Sequence, residues 1–251
     1  RAPRRERAQR IGRAHPAQPP AGGGSPDFPV SGYVKTTREL LAVAVPLWLA
    51  TLVNTAAQMI NVSLIPRRLM TAGHSMAAAT ELYGQLTGMV LPLLYMPMLL
   101  VFPVATVLTP AIADAAGAGR FAAARKQFRK AIGGSLAVGL LTAAACLAAP
   151  ALIPRLLYGT AEIAPLVRIV GVAAPFAYAG GVFSSVLYAL GRTNLLLGTF
   201  VLTTLVRLSL IYPWTADPGL CIAGALWAVV VDYALTTLIN GWAALYFLWR
   251  S

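Results

Sequence analysis

The sequence predicts an all-α integral membrane protein with six transmembrane helices, and three observations lead there. Its 251 residues are 58% hydrophobic and only 11% charged, with a mean hydropathy of +0.69, whereas a soluble domain is about one-quarter charged. Apolar stretches recur at or above the ~20 residues that a helix needs to cross ~30 Å of hydrocarbon. The lysines and arginines, which give a net charge of +12, lie in a tail and in short connections. That distribution sets membrane topology and does not build a nucleic-acid-binding face.

Residues 1–37, opening RAPRRERAQRIGRAHPAQPP, hold too few large apolar side chains to offset their ordering entropy, so a disordered basic tail is expected. No apolar run follows the charges directly, so the tail does not resemble a signal peptide. The composition equally suits a linker between two membrane lobes or an ordinary amino-terminal tail. Residues 38–251 form the membrane lobe, with spans expected at about 40–65, 82–113, 131–153, 165–190, 194–213 and 220–248. The stretches PRRLMTAGH, the basic segment from Gly119, PRLLYGTAE, GRTN and WTADPG supply the turns between them.

An even number of spans places both chain ends on one side. With the amino end inside, fifteen lysines and arginines fall in inner segments, against Arg67, Arg68 and Arg155 outside. Both termini are therefore predicted cytoplasmic.

The first span carries Thr51, Asn54, Gln58 and Asn61 at steps of three or four, which places them in one narrow arc of the helix. An amide facing lipid lacks a partner, so this stripe must meet protein or water. The second span is the proline-rich run TGMVLPLLYMPMLLVFPVATVLTP, with Pro92, Pro97, Pro103 and Pro110. Each removes a helical hydrogen bond and bends the backbone, leaving carbonyls that neighbours or water must satisfy. Bent helices of this kind serve as gates where a transporter opens one side and then the other.

The segment 119–131 reads as a separate amphipathic helix. Phe121, Ala124, Phe128, Ala131 and Ile132 share one face, while Arg120, Arg125, Lys126, Arg129 and Lys130 occupy the rest. That pattern suits a helix lying on the inner membrane surface against anionic headgroups. In the fifth span Thr203 and Arg207 are one turn apart, and in the sixth Asp232, Thr236 and Asn240 repeat every four residues. Arg207 and Asp232 lie at membrane depth on neighbouring antiparallel helices, within reach of an ion pair. Two arrangements account for these polar seams: interhelical hydrogen bonding that holds a bundle together, or a hydrated cavity lined from several helices. A stripe of amides beside an arginine and an aspartate favours the cavity.

Nothing in the chain points to catalysis. The eight acids are scattered without paired carboxylates at helical spacing, and neither His15 nor His74 sits near an acid as a nucleophile–base pair requires. Cys146 and Cys221 have no metal-ligand spacing. No catalytic residue, metal or cofactor is predicted.

The stretches IPRRLMTAGHSMAAATELYGQLTGMVLPLLYMP, VLTPAIADA and APLVRIVGVAAPFAYAGGVFSSVLYALGRTN carry a resemblance to a known family. The chain resembles the stage V sporulation protein B family, polysaccharide-biosynthesis members of the multidrug/oligosaccharidyl-lipid/polysaccharide flippase superfamily, over about residues 38–248. Such proteins have two pseudo-symmetric lobes totalling about twelve to fourteen helices. This chain resembles the carboxy-terminal lobe alone.

The resemblance implies movement of a lipid-linked oligosaccharide or peptidoglycan precursor across the bacterial cytoplasmic membrane, for cell-wall or spore-cortex synthesis. It also implies, as partners, the lipid-linked glycan, membrane lipids, and an amino-terminal lobe or a second copy. Related lipid II flippases carry an arginine early in the equivalent of the second span. This chain reads GMVLPLL there, leaving Arg207 as the candidate for the anionic headgroup. A cation-coupled multidrug antiporter and a non-transporting membrane scaffold remain as alternatives.

Overall fold

The computed structural model describes residues 30–250, and among them all regular structure is helical. Residues 1–41 and 42–251 form two units. In the first, the described residues 30–41 are helical. The tail expected over residues 1–37 lies up to residue 29 outside the described residues, whereas residues 30–37 are helical, a correction to that expectation. They belong to α1 (Val30–Thr71), whose onset the apolar pattern placed later because its first turns are polar.

The second unit continues with α2 (Met76–Gln85), a π-helical turn (Leu86–Val90) and α3 (Leu91–Gly117). Then come α4 (Phe121–Ala148), the short α5 (Leu152–Tyr158), α6 (Ala164–Ala189), α7 (Thr193–Trp214) and α8 (Cys221–Arg250). Six helical runs are long and apolar enough to span a membrane. The protein is thus an all-α integral membrane lobe, and the local chemistry explains the breaks. Ser75 caps α2, its hydroxyl accepting from the Ala78 amide at 3.2 Å. Gly191, at φ 69°, closes α6 in a left-handed turn that brings the Arg192 amide to the Leu187 carbonyl at 2.9 Å. Pro150 disfavours helical geometry at the residue before it. Ala149 accordingly leaves the helix at φ −133°, so α4 stops at Ala148 and not near residue 153.

The second apolar run is longer than expected. Helix continues from Met76 to Gly117, 42 residues, or about 63 Å at 1.5 Å per residue. Helical structure persists through Pro97, Pro103 and Pro110. The π turn sits just before Pro92, where the Leu91 amide reaches back to the Leu86 carbonyl. An inserted π residue absorbs the register that a proline disturbs.

The segment 119–131 is not a separate surface helix. It forms the opening turns of α4, and its apolar face packs on protein. Phe128 is buried with its ring 5.8 Å from Phe183 and 6.1 Å from Trp249. Amphipathic periodicity cannot tell a protein neighbour from a lipid surface, and here the neighbours are α6 and α8.

The core centres on α6, two-thirds of whose most apolar window is buried. Without a strong hydrophobic drive between helices in lipid, close packing depends on small residues. On α4, a Cβ placed on Gly139 would lie 2.9 Å from the Pro175 Cα of α6. Gly133, on the same helix, faces open space.

Gly139→Ala is therefore expected to destabilise the lobe by about 1–3 kcal/mol through overpacking. Gly133→Ala should leave it unchanged or stabilise it by about 0.5–1 kcal/mol. Thermal unfolding of the purified lobe in detergent checks the pair, and equal responses would remove the close α4–α6 approach.

A polar seam between three helices

Helices α6, α7 and α8 place polar side chains against one another along their shared seam. At one level, Arg207 of α7 meets Asp232 of α8, Nη1 to Oδ2 at 3.1 Å. Their side chains are 17% and 13% exposed. The pair expected from their antiparallel placement is therefore formed, and it is the one ion pair among the described residues. Opposite charges held together out of water compensate each other, whereas either alone would carry a large desolvation cost.

A turn along each helix, the Thr236 hydroxyl donates to Thr203 Oγ1 at 3.3 Å, and Thr203 donates back to the Phe200 carbonyl at 3.4 Å. One turn further, Asn240 Nδ2 donates to Ser184 Oγ of α6 at 3.0 Å, while Ser184 donates to the Gly180 carbonyl at 2.8 Å. The Thr237 hydroxyl donates to the Phe176 carbonyl at 2.6 Å, so α6 and α8 are joined by two side-chain bonds.

The seam is incompletely satisfied. Asn240 is 2% exposed, yet its Oδ1 has no partner, and Arg207 Nε and Thr204 Oγ1 are likewise buried and unpartnered. Beside Asn240 lies a cavity of about 230 Å³, bordered by Ser184, Thr193 and Thr236 and by Pro46, Leu47 and Ala50 of α1. Leu196, Leu197 and Phe200 make the rest of its lining apolar, so an orphaned amide oxygen beside it suits the polar part of an otherwise apolar ligand.

The structure gathers Thr203, Arg207, Asp232, Thr236 and Asn240, but it does not bring the α1 stripe to them. Thr51 and Gln58 are exposed, and Asn54 and Asn61 are half-buried. Thr51 donates to its own helix at Leu47 O, 3.0 Å, and Asn61 Oδ1 is buried without a partner. The stripe is thus open along the flank of α1 and not closed onto α7 or α8.

The proline helix has its own polar supports. Tyr178 of α6, fully buried, donates to the Leu94 carbonyl at 2.8 Å, one residue from the carbonyl that Pro97 deprives of its helical donor. Tyr158 of α5 donates to the Met89 carbonyl in the π turn at 3.2 Å. Sequence reasoning missed these tyrosines, and Ser184 and Thr193 as well. Tyr178 is an isolated polar residue in an apolar run, while Tyr158 and Thr193 lie at helix ends and Ser184 stands beside Ser185, so none falls in a helical polar stripe.

The basic residues gather with aromatics at one end of the lobe. Arg125 and Arg129 lie 5.8 Å from the Trp249 ring, Arg192 is 4.3 Å from Phe247, and Arg250 is 5.1 Å from Tyr246. At the other end Arg68 stacks 3.8 Å over Tyr212 and donates to its carbonyl at 3.0 Å.

Six membrane-length helices, five of them packed together around an intramembrane ion pair and a half-satisfied polar seam, make a helical membrane lobe of transporter type. Residues 46–212 match the MatE family, to which this chain belongs. It is 25% identical over 209 residues to Stage V sporulation protein B of Bacillus subtilis (strain 168). The alignment covers 82% of this chain and 40% of that protein, so the chain spans about two-fifths of the relative's length. No solved structure matches.

If Arg207 and Asp232 hold the seam together, Arg207→Asp or Asp232→Arg alone should each cost about 3–5 kcal/mol by stranding a charge. The double reversal should regain most of that. Thermal unfolding of the three variants in one detergent decides it, and absence of any rescue would refute the pairing.

Proposed function

We propose that this chain is one lobe of an alternating-access transporter that flips a lipid-linked oligosaccharide or peptidoglycan precursor across the bacterial cytoplasmic membrane. Both termini face the cytoplasm in this reading, as the excess of lysine and arginine in the inner segments favours. The observation that carries the proposal is the seam of Thr203, Arg207, Asp232, Thr236 and Asn240. Its Asn240 Oδ1 and Arg207 Nε are buried without a partner, and its Thr236 and Asn240 side chains line an adjoining cavity. Structural polar contacts are normally fully paired, and spare capacity at membrane depth is what a passing polar headgroup would use.

In this reading Pro92, Pro97, Pro103 and Pro110 allow the second span to bend, with Tyr178 and Tyr158 holding carbonyls near the bends. The open stripe of Thr51, Asn54, Gln58 and Asn61 would face the same pathway, closed from its other side by an amino-terminal lobe or a second copy. The name of the Bacillus relative supports a place in sporulation.

Arg207 can serve an anionic headgroup only in part, because Asp232 already neutralises it. Contact with substrate would come through Nε or by exchange of partners during the cycle. The antiporter alternative needs a free acid in the seam, and the acid there, Asp232, is engaged.

The test is flipping of a fluorescent lipid-linked precursor in vesicles holding the lobe together with its partner lobe. Asn240→Leu, which keeps the branched shape but removes both the spare oxygen and the amide donor to Ser184, should slow flipping about tenfold, equivalent to ~1.4 kcal/mol. Flipping at the unaltered rate would remove the seam from the pathway. No flipping by any form would favour the scaffold.

A further inference from the structure

A second concave surface lies away from the seam, where α3 passes the opening turns of α4. It is a groove of about 450 Å³ walled by Pro103, Val104, Val107 and Leu108 on one side and Ala131 and Gly134 on the other. That size falls within the roughly 300–1,000 Å³ common for small-molecule sites. Its walls are apolar, and its polar lining comes from Gln127 and Lys130. Lys130 also lines a second hollow of about 570 Å³, shared with Arg125, Lys126 and Arg129. The apolar groove and the basic hollow, which Ala122 completes, thus share Lys130 as a common wall.

The charges at that mouth are uncompensated. Among the described residues no carboxylate comes within ion-pair distance of these four cations. Arg125 and Arg129 face Trp249, whereas Lys126 and Lys130 are exposed. Asp114, on the facing helix, does not pair with them. The groove is also open by composition. A Cβ on Gly134 would meet nothing within 4 Å, so packing does not require glycine there, although glycine weakens a helix interior. What the missing side chain leaves is room.

From this juxtaposition we infer that the groove binds an anionic glycerophospholipid, one acyl chain lying between α3 and α4 and the headgroup phosphate held by Lys126 and Lys130. Charge complementarity selects this occupant. A neutral lipid would leave the lysines unanswered, and a free anion would leave the apolar channel unfilled. The site is independent of what the seam carries, and it ties the proline-rich helix to the lipid composition of its leaflet.

The full chain, with a benzoylphenylalanine photo-crosslinker at Val107, is reconstituted into vesicles of equal phosphatidylcholine and phosphatidylglycerol, irradiated and weighed by mass spectrometry. Phosphatidylglycerol adducts should exceed phosphatidylcholine adducts, and K126Q and K130Q should each lower the excess about fivefold, the selectivity one basic residue supplies near an anionic lipid. Gly134→Leu, which fills the groove but keeps every charge, should bring the phosphatidylglycerol adducts down to the phosphatidylcholine level, because Val107 is 70% exposed and still meets bulk lipid. Equal adducts in the unaltered chain, an adduct to a second copy of the chain, or a phosphatidylglycerol excess that survives Gly134→Leu would each overturn the inference.

Discussion

Inside a bilayer, a polar group has no water to fall back on, and this single constraint organises the lobe. Every donor or acceptor at membrane depth must find a protein partner or a wet space. Arg207 and Asp232 meet it directly, at 3.1 Å on adjacent antiparallel helices. Thr203 and Thr236, then Asn240 and Ser184, continue the same answer in neutral form along the same faces. The seam is consequently a continuous feature of α6, α7 and α8, with charge at one level and amide and hydroxyl groups at the next. Its unpaired atoms matter because the rest of it is paired.

The same constraint explains the proline-rich helix. Four prolines in one apolar run expose carbonyls that lipid cannot serve. Two tyrosine hydroxyls arrive from α5 and α6 to serve carbonyls at and near the disturbed turns, and a π turn takes up the register before Pro92. These contacts link the long second run to the central helix through polar bonds at its most irregular points. The small residues of α4 and α6 then let the backbones close around that frame.

Much of this was legible in the sequence, and the part that was not has a physical reason. Length and hydropathy fix the six spans because hydrocarbon thickness fixes the length of a crossing helix. The ion pair could be foreseen because two opposite charges on consecutive membrane helices have few places to go. The surface helix at 119–131 was misjudged because a 3.6-residue pattern states which face is apolar and not what covers it, and Phe128 is covered by Phe183 and Trp249. The amides of the α1 stripe call for a polar partner, yet no pattern within one helix says whether that partner is a neighbour in the same lobe. In the structure the stripe is open. Tyr178 is a lone hydroxyl in an apolar run, and Ser184 and Thr193 lie in a serine pair and at a helix start, so none of the three shows a helical period.

The central claim is that the seam borders water where Thr236 and Asn240 line the cavity. It is tested most directly by cysteines placed singly at Thr236 and Asn240 and, as a lipid-facing control, at Leu238, in a background where Cys146 and Cys221 are replaced. Rates of reaction with a charged, membrane-impermeant thiol reagent are then compared. The account predicts clear labelling at the two seam positions and little at position 238. Labelling at neither seam position, with a lipid-soluble maleimide reacting at all three, would contradict it.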